Sequence, residues 1–169
     1  MIANPFNAVD NHLNAVLTGL PDNTLLYKWD EVADTFFQAN IYGQCCGWSD
    51  PNMTLAPGEG ALILAPSTTT ATFKGEVLQG FLVNSVPSGL SIRASKFPKA
   101  DVISSLGFPI ANGDTITRII GRSYTDYNYH NGMWTTSQGA PTSPPTIGIG
   151  ESFWINKHTD WKQHISIWP

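Results

Sequence analysis

The fold is decided by residues 55–64, Leu-Ala-Pro-Gly-Glu-Gly-Ala-Leu-Ile-Leu, in which a glycine-rich turn leads into an apolar run. A related stretch occurs at residues 146–155, Thr-Ile-Gly-Ile-Gly-Glu-Ser-Phe-Trp-Ile. In both, a glutamate next to glycine stands at the entrance of a strand without polar alternation, which is typical of a strand buried on both faces. The recurrence indicates that the chain contains an internal duplication.

Other motifs repeat at a similar separation, so the match is larger than the turn itself. Trp48 follows a glycine as Trp134 follows the glycine at 132, and an aromatic stretch at 34–37 has its counterpart at 124–127. The separation is about 90 residues, longer than the period of short solenoid or propeller repeats. The sequence therefore predicts two similar β-rich lobes, residues 1–79 and 80–169, packed as one compact unit with pseudo-twofold symmetry.

The local patterns predict a mostly β fold with one short helix per lobe. Residues 9–20 carry apolar side chains at helical spacing, with Asp10 or Asn11 as the cap, and residues 100–107 predict the second helix. Extended patterns predict strands at 24–29, 35–42, 61–64, 68–77, 80–87, 115–120, 123–130 and 161–168. Neither a sandwich nor a barrel arrangement is favoured by these patterns over the other.

The two lobes have an unequal inventory of strands. Residues 80–87, Gly-Phe-Leu-Val-Asn-Ser-Val-Pro, predict a strand whose counterpart in the first lobe would precede Met1. We expect either that such a strand was removed upstream of Met1 or that a neighbouring molecule supplies it.

Composition excludes several classes of function. Charged residues make up 13% of the chain, about half of the usual share of roughly 25%. The net charge of −4 leaves no basic surface for nucleic acid, and no apolar run approaches the length that spans a bilayer. Low charge with many Thr, Ser, Asn and Gly residues favours an extracellular β protein, whose signal peptide is removed or lies outside this sequence.

Cys45 and Cys46 are the most unusual local feature, at the expected turn of the first aromatic hairpin. Adjacent cysteines form a vicinal disulfide, bridge to another subunit, or remain as thiols, and either bridge requires an oxidising compartment. No second pair of Cys or His residues stands at metal-ligand spacing, so we expect no metal.

The candidate binding and catalytic residues all have a simple structural alternative. Trp48 and Trp134 are possible platforms for a carbohydrate ligand, although large aromatic residues in β proteins are more often core residues. Glu59 and Glu151 resemble the carboxylate pair of a glycosidase, but glutamates in such turns more simply accept backbone hydrogen bonds. We expect no catalytic residue and no cofactor.

Several motifs resemble an uncharacterised family of secreted bacterial proteins with a duplicated β unit. They are Ile-Ala-Asn-Pro at 2–5, Tyr-Lys-Trp-Asp at 27–30, Gly-Trp-Ser-Asp-Pro-Asn at 47–52 and Leu-Ala-Pro-Gly-Glu-Gly at 55–60. The resemblance implies secretion and this fold, and it brings no established activity.

These observations predict a non-enzymatic structural protein that forms a filament, tube or surface array. The expected contacts are strand edges and aromatic residues, namely Met1, Ile2, Trp161, His164, Ile165, Ile167 and Trp168. The expected partner is a further copy of the chain, and the alternative is an adhesion module that binds polysaccharide.

Overall fold

A computed structural model describes residues 1–120 and 122–165, and it is mostly β with antiparallel pairing throughout the described strands. The only described helix is α1, Leu13–Val16. The mostly β class is therefore confirmed.

The first half of the chain, residues 1–79, contains a five-stranded sheet in the order β1-β7-β2-β5-β6 and the small pair β3-β4. The strands are β1 Ile2–Ala3, β2 Thr24–Tyr27, β3 Trp29–Asp30, β4 Thr35–Phe36, β5 Asn40–Gly43, β6 Gly47–Trp48 and β7 Gly60–Leu64.

The second half, residues 80–169, contains a six-stranded sheet in the order β14-β13-β12-β11-β16-β9 and the pairs β17-β8 and β10-β15. The strands are β8 Gly80–Val86, β9 Leu90–Ala94, β10 Asp101–Val102, β11 Thr115–Ile120, β12 Ser123–His130, β13 Met133–Thr135, β14 Pro141–Thr142, β15 Thr146–Ile147, β16 Ser152–Asn156 and β17 Thr159–Ile165.

Each half contributes its own cluster of buried apolar side chains. The first cluster includes Leu13, Leu17, Leu26 and Trp48, so α1 and the chain after it cover one face of the five-stranded sheet. The second cluster joins the six-stranded sheet to the β17-β8 pair, and its largest members are Phe108, Trp134, Phe153 and Trp161. Burying such side chains is the main favourable term in folding, at about 1.5–3 kcal/mol each for Val to Phe.

The first predicted helix is shorter than expected, and the second is absent from the described residues. Around Asp101 the chain forms β10, because Asp101 and Val102 pair with Ile147 and Thr146. A single turn follows, in which the Leu106 N–H donates to the Val102 carbonyl over 3.1 Å. The prediction of one helix per lobe was wrong because a strand pairing occupies the residues that would begin the second helix.

Some of the strand predictions are confirmed and others are wrong. Strands β8, β11 and β12 lie where the alternation and the aromatic run predicted them. Strand β17 covers residues 161–165 of the strand predicted at 161–168, whose last three residues lie outside the described ones. Residues 61–64 form β7, but Leu64 is half exposed at 50%, so that strand is not buried on both faces along its length. Residues 68–77 form no described strand, and their only ladder contact is a bridge between Glu76 and Asn7.

Candidate association surface

The glutamate of the first glycine-rich turn holds its own turn closed. The Ala56 N–H donates to Glu59 Oε2 over 2.8 Å, and the Lys28 ammonium donates to the same oxygen over 2.9 Å. The carboxylate of Glu59 therefore serves the turn and one ion pair.

The glutamate of the second turn is held in the same manner. The Gly148 N–H donates to Glu151 Oε2 over 2.7 Å, and Arg118 donates to Glu151 Oε1 over 2.6 Å. Lys28 directly follows β2, which pairs with β7, and Arg118 lies on β11, which pairs with β16. Both carboxylates therefore hold their own turns in place. This agrees with the structural alternative to a glycosidase pair, in which the glutamates accept backbone hydrogen bonds.

The two turns are linked by a reciprocal exchange of backbone hydrogen bonds. The Ala3 N–H, in the first half, donates to the Gly150 carbonyl over 2.9 Å. The Ala94 N–H, in the second half, donates to the Gly58 carbonyl over 3.1 Å. Each half therefore satisfies a carbonyl in the turn of the other half.

The strands that follow the turns approach each other closely at Gly60. A Cβ added to Gly60 would lie 2.6 Å from Ser152 Cβ and would also overlap Ile92 Cγ2. The Ser152 hydroxyl donates to the Ile2 carbonyl over 3.0 Å. A glycine is required at residue 60 because any side chain would separate the two halves.

In the second half, one strand covers the edge of this junction. Strand β8 pairs with β17 from Gly80 opposite Ile165 to Val86 opposite Thr159. Asn84, at the centre of β8, is buried, and its amide donates to the carbonyls of Gly58 at 3.1 Å and Ala94 at 3.0 Å. The Asn84 side chain thereby closes the junction on this side.

In the first half, the corresponding stretch has no covering strand. Residues 67–75, here called the open edge, follow β7 as β17 follows β16, and Ala71 and Phe73 pack against the first core. No hydrogen bond joins the backbone of residues 67–75 to any other residue that the structure describes. A segment with unpaired backbone groups can pair with another chain, as the exposed edge of a sheet does.

A groove of about 330 Å³ lies beside the open edge. It ends at Gly150, the residue that accepts the Ala3 hydrogen bond. Its other lining residues are apolar: Ile2, Pro5, Phe6, Ala71, Phe73 and Ile149. The groove and the open edge together form the candidate site. The groove was not predicted from the sequence, although apolar and polar residues alternate at Ala71, Thr72 and Phe73.

A smaller pocket of about 120 Å³ lies between the halves and is polar. Two ion pairs line it, Lys28 with Glu59 at 2.9 Å and Arg93 with Glu31 at 2.5 Å. The charges in this pocket are matched in pairs, so we interpret it as a structural contact between the halves.

The predicted self-association residues do not form one exposed surface. Trp161 has no exposed area, and Ile2 is 7% exposed, which corrects the expectation that both are available to a neighbour. Trp161 is buried because its indole N–H donates to the Leu106 carbonyl over 2.9 Å inside the second core. The remaining positions are an exposed His164, half-buried Met1 and Ile165, and Ile167 and Trp168, which lie outside the described residues.

The two proposed carbohydrate platforms are core residues. Trp48 is 2% exposed and donates from its indole N–H to the Leu17 carbonyl over 2.7 Å, while Trp134 is 8% exposed beside Tyr129. A sugar ring needs an open ring face, so neither residue offers a platform. The alternative that both are structural agrees with the structure.

Cys45 and Cys46 are joined by a disulfide in the turn between β5 and β6. Both residues are exposed, at the margin of a wide surface depression of about 720 Å³. The hairpin in the second half turns instead through Asn131 and Gly132, both with positive φ, which suits a two-residue hairpin turn.

Comparisons with known proteins assign no function to this fold and site. The chain matches no protein-family model, no curated protein and no solved structure. Within residues 1–120 and 122–165, no helix has the length and apolar character needed to cross a membrane. In the same residues, no group of three or more His, Cys, Asp or Glu side chains is placed to hold a metal ion. The described residues form an antiparallel β protein in which residues 67–75 make no backbone hydrogen bond to other described residues.

Proposed function

We propose that the protein is a non-enzymatic extracellular structural protein that self-associates head to tail into a filament, tube or surface array. The observation that carries the proposal is the open edge beside an apolar groove. An edge strand gains about 0.5–1.5 kcal/mol net per hydrogen bond when it is paired, and apolar burial adds to this.

The complementary surface is the outer side of β8. Among the described residues β8 pairs with β17 alone, so its second edge has no strand partner. On the outward face of β8, Phe81 is 88% exposed and Val83 is 47% exposed, although the ring of Phe81 contacts that of His164 with centroids 4.3 Å apart. Large apolar side chains exposed in a cluster are typical of interaction surfaces.

These two surfaces differ and lie on one molecule, so their contact is heterologous. A heterologous contact that does not close into a ring propagates as a fibre. Each copy has one open edge and one outer β8 edge. Every open edge inside a polymer can therefore be paired, which supports the proposal.

We also propose that the two halves arose by duplication and are related by a pseudo-twofold axis. The proposal is supported by the matching turns of Glu59 and Glu151 and by the reciprocal bonds of Ala3 and Ala94. The exposed disulfide supports an oxidising, extracellular location, because exposed disulfides are reduced in the cytosol.

Self-association is tested by sedimentation velocity over a concentration series, together with negative-stain microscopy. Phe81→Ser is expected to weaken association at least tenfold, because burying a phenylalanine contributes about 1.5–3 kcal/mol. Val32→Ser is the matched control, since Val32 is 98% exposed and lies in the other half. A wild-type protein that remains monomeric at every concentration and shows no assemblies would refute the proposal.

A further inference from the structure

The molecule contains two junctions of the same construction, and only one of them is filled. At the filled junction, Ala94 donates to Gly58, and the Asn84 amide donates to the carbonyls of both residues. At the other junction, Ala3 donates to Gly150 in the same way, but the groove stands where the asparagine side chain would lie.

We propose that the groove and the open edge receive an extended strand with the side-chain pattern of β8. Facing inward, β8 carries Leu82, Asn84 and Val86, of which Asn84 and Val86 are buried. The donor strand therefore has an asparagine at its centre and aliphatic residues two positions away on each side. Its amide donates to the carbonyls of Ala3 and Gly150.

The chemistry of the groove favours this pattern over a purely apolar strand. The carbonyl oxygens at its end have lone pairs beyond the single Ala3 to Gly150 bond, and a buried acceptor without a partner costs free energy. Asparagine supplies two N–H donors on a short side chain. The apolar walls, including Phe6 and Phe73, suit the aliphatic neighbours.

The donor is not β8 of a second copy. Among the described residues, β8 is the one strand with this pattern, and it already occupies the junction at Gly58. If a copy inserted its β8 into a neighbour, its own β17, which carries Trp161 and Gln163, would lose its ladder partner. The occupant is therefore a segment other than β8 that has the same side-chain pattern.

The same open edge serves in the proposed self-association, so the two occupants compete. This consequence rests on the proposed function: a bound donor strand would cap a growing assembly at one end. Occupation of the groove itself does not require that the protein polymerises.

The probe is a fluorescent peptide with the sequence of residues 80–86, Gly-Phe-Leu-Val-Asn-Ser-Val, whose binding to the full chain is followed by anisotropy. We expect saturable binding with one peptide per chain. A peptide carrying Asn84→Leu is expected to bind at least tenfold more weakly, because it leaves the two carbonyls without donors. Equal binding of the two peptides, or no binding of either, would overturn the proposal.

Two protein variants locate the binding. Ala71→Arg places a charge in the groove and is expected to weaken peptide binding at least tenfold. Thr72→Arg, at the adjacent exposed residue, is the matched control and is expected to change it less than twofold. Equal losses in both variants would contradict the groove as the site. If Ala71→Arg does not fold, the comparison of the two peptides decides the question alone.

The outcomes separate this proposal from self-association. Assembly in the absence of any peptide binding would overturn the donor strand and leave self-association standing. Peptide binding to a protein that stays monomeric would overturn self-association and leave the donor strand standing. If both occur, adding peptide is expected to shorten the assemblies, and the Asn84→Leu peptide is expected to leave their length unchanged.

Discussion

The open edge follows β7 as β17 follows β16, yet the two segments have different surroundings. Both follow a strand that enters from a glutamate turn, and exposure alternates along β17 and, in the open edge, from residue 70 to residue 74. In β17, which pairs with β8, Trp161 and Gln163 are buried, whereas Ala71 and Phe73 of the open edge are only half buried. Alternation therefore fixes which face of a segment turns inward, while a partner strand decides whether the segment becomes a strand.

The largest expected difference between these regions is in backbone protection. We expect amides of residues 67–75 to exchange hydrogen at least about a thousandfold faster than those in the β8-β17 ladder, since ladder amides open only with large-scale unfolding. Hydrogen exchange followed by mass spectrometry at a concentration where the protein is monomeric measures this. Similar rates in the two regions would show that the open edge is paired in solution.

Substituting the aromatic side chains should give the next largest difference. Trp161→Ala is expected to lower the free energy of unfolding by about 4 kcal/mol, because it leaves a cavity beside Phe108 and Phe153. Phe73→Ala should lower it by only about 1–2 kcal/mol, since Phe73 is half exposed. Urea denaturation measures both values, and equal losses would mean that Phe73 is covered in solution.

Gly60→Ala tests the junction between the two regions. The new methyl group would overlap Ile92 and Ser152, so we expect a loss of about 2–3 kcal/mol from overpacking. Gly43→Ala is the control, because its nearest neighbours would lie at 3.9 Å and the effect should stay below about 0.5 kcal/mol. Thermal unfolding of the two variants compares them, and a harmless Gly60→Ala would show that the halves are not in close contact there.

The smallest expected effect concerns the turn at Cys45 and Cys46. Reduction of this bond should lower stability by about 1 kcal/mol or less, because a disulfide between neighbours closes almost no loop. The corresponding turn at Asn131 and Gly132 forms without a disulfide. Unfolding with and without a reductant gives the difference, and a large loss would show that the first hairpin depends on the bond.

Local chemistry made much of the fold predictable. The run at 80–86, the aromatic strand at 123–130 and the roles of Glu59 and Glu151 followed from alternation, β-branched residues and turn composition. These features depend on neighbours within a few residues, or on a strand that is adjacent in the chain.

The remaining features depended on contacts that are distant in sequence. Asp101 looked like a helix cap, but its pairing with Ile147 could not be inferred from its neighbours. Trp161 looked exposed in an alternating strand, and its burial depends on Leu106 and Phe108. The groove at the open edge combines residues from three separate segments, so no local pattern announces it.

The exchange of hydrogen bonds between Ala3 and Gly150, and between Ala94 and Gly58, couples the folding of the two halves. When either half unfolds, the turn of the other loses a donor, and the contact of Gly60 with Ser152 is lost at the same time. We therefore expect the two halves to unfold cooperatively. A chain cut between residues 79 and 80 would have to bring both pieces together before either glycine-rich turn is complete.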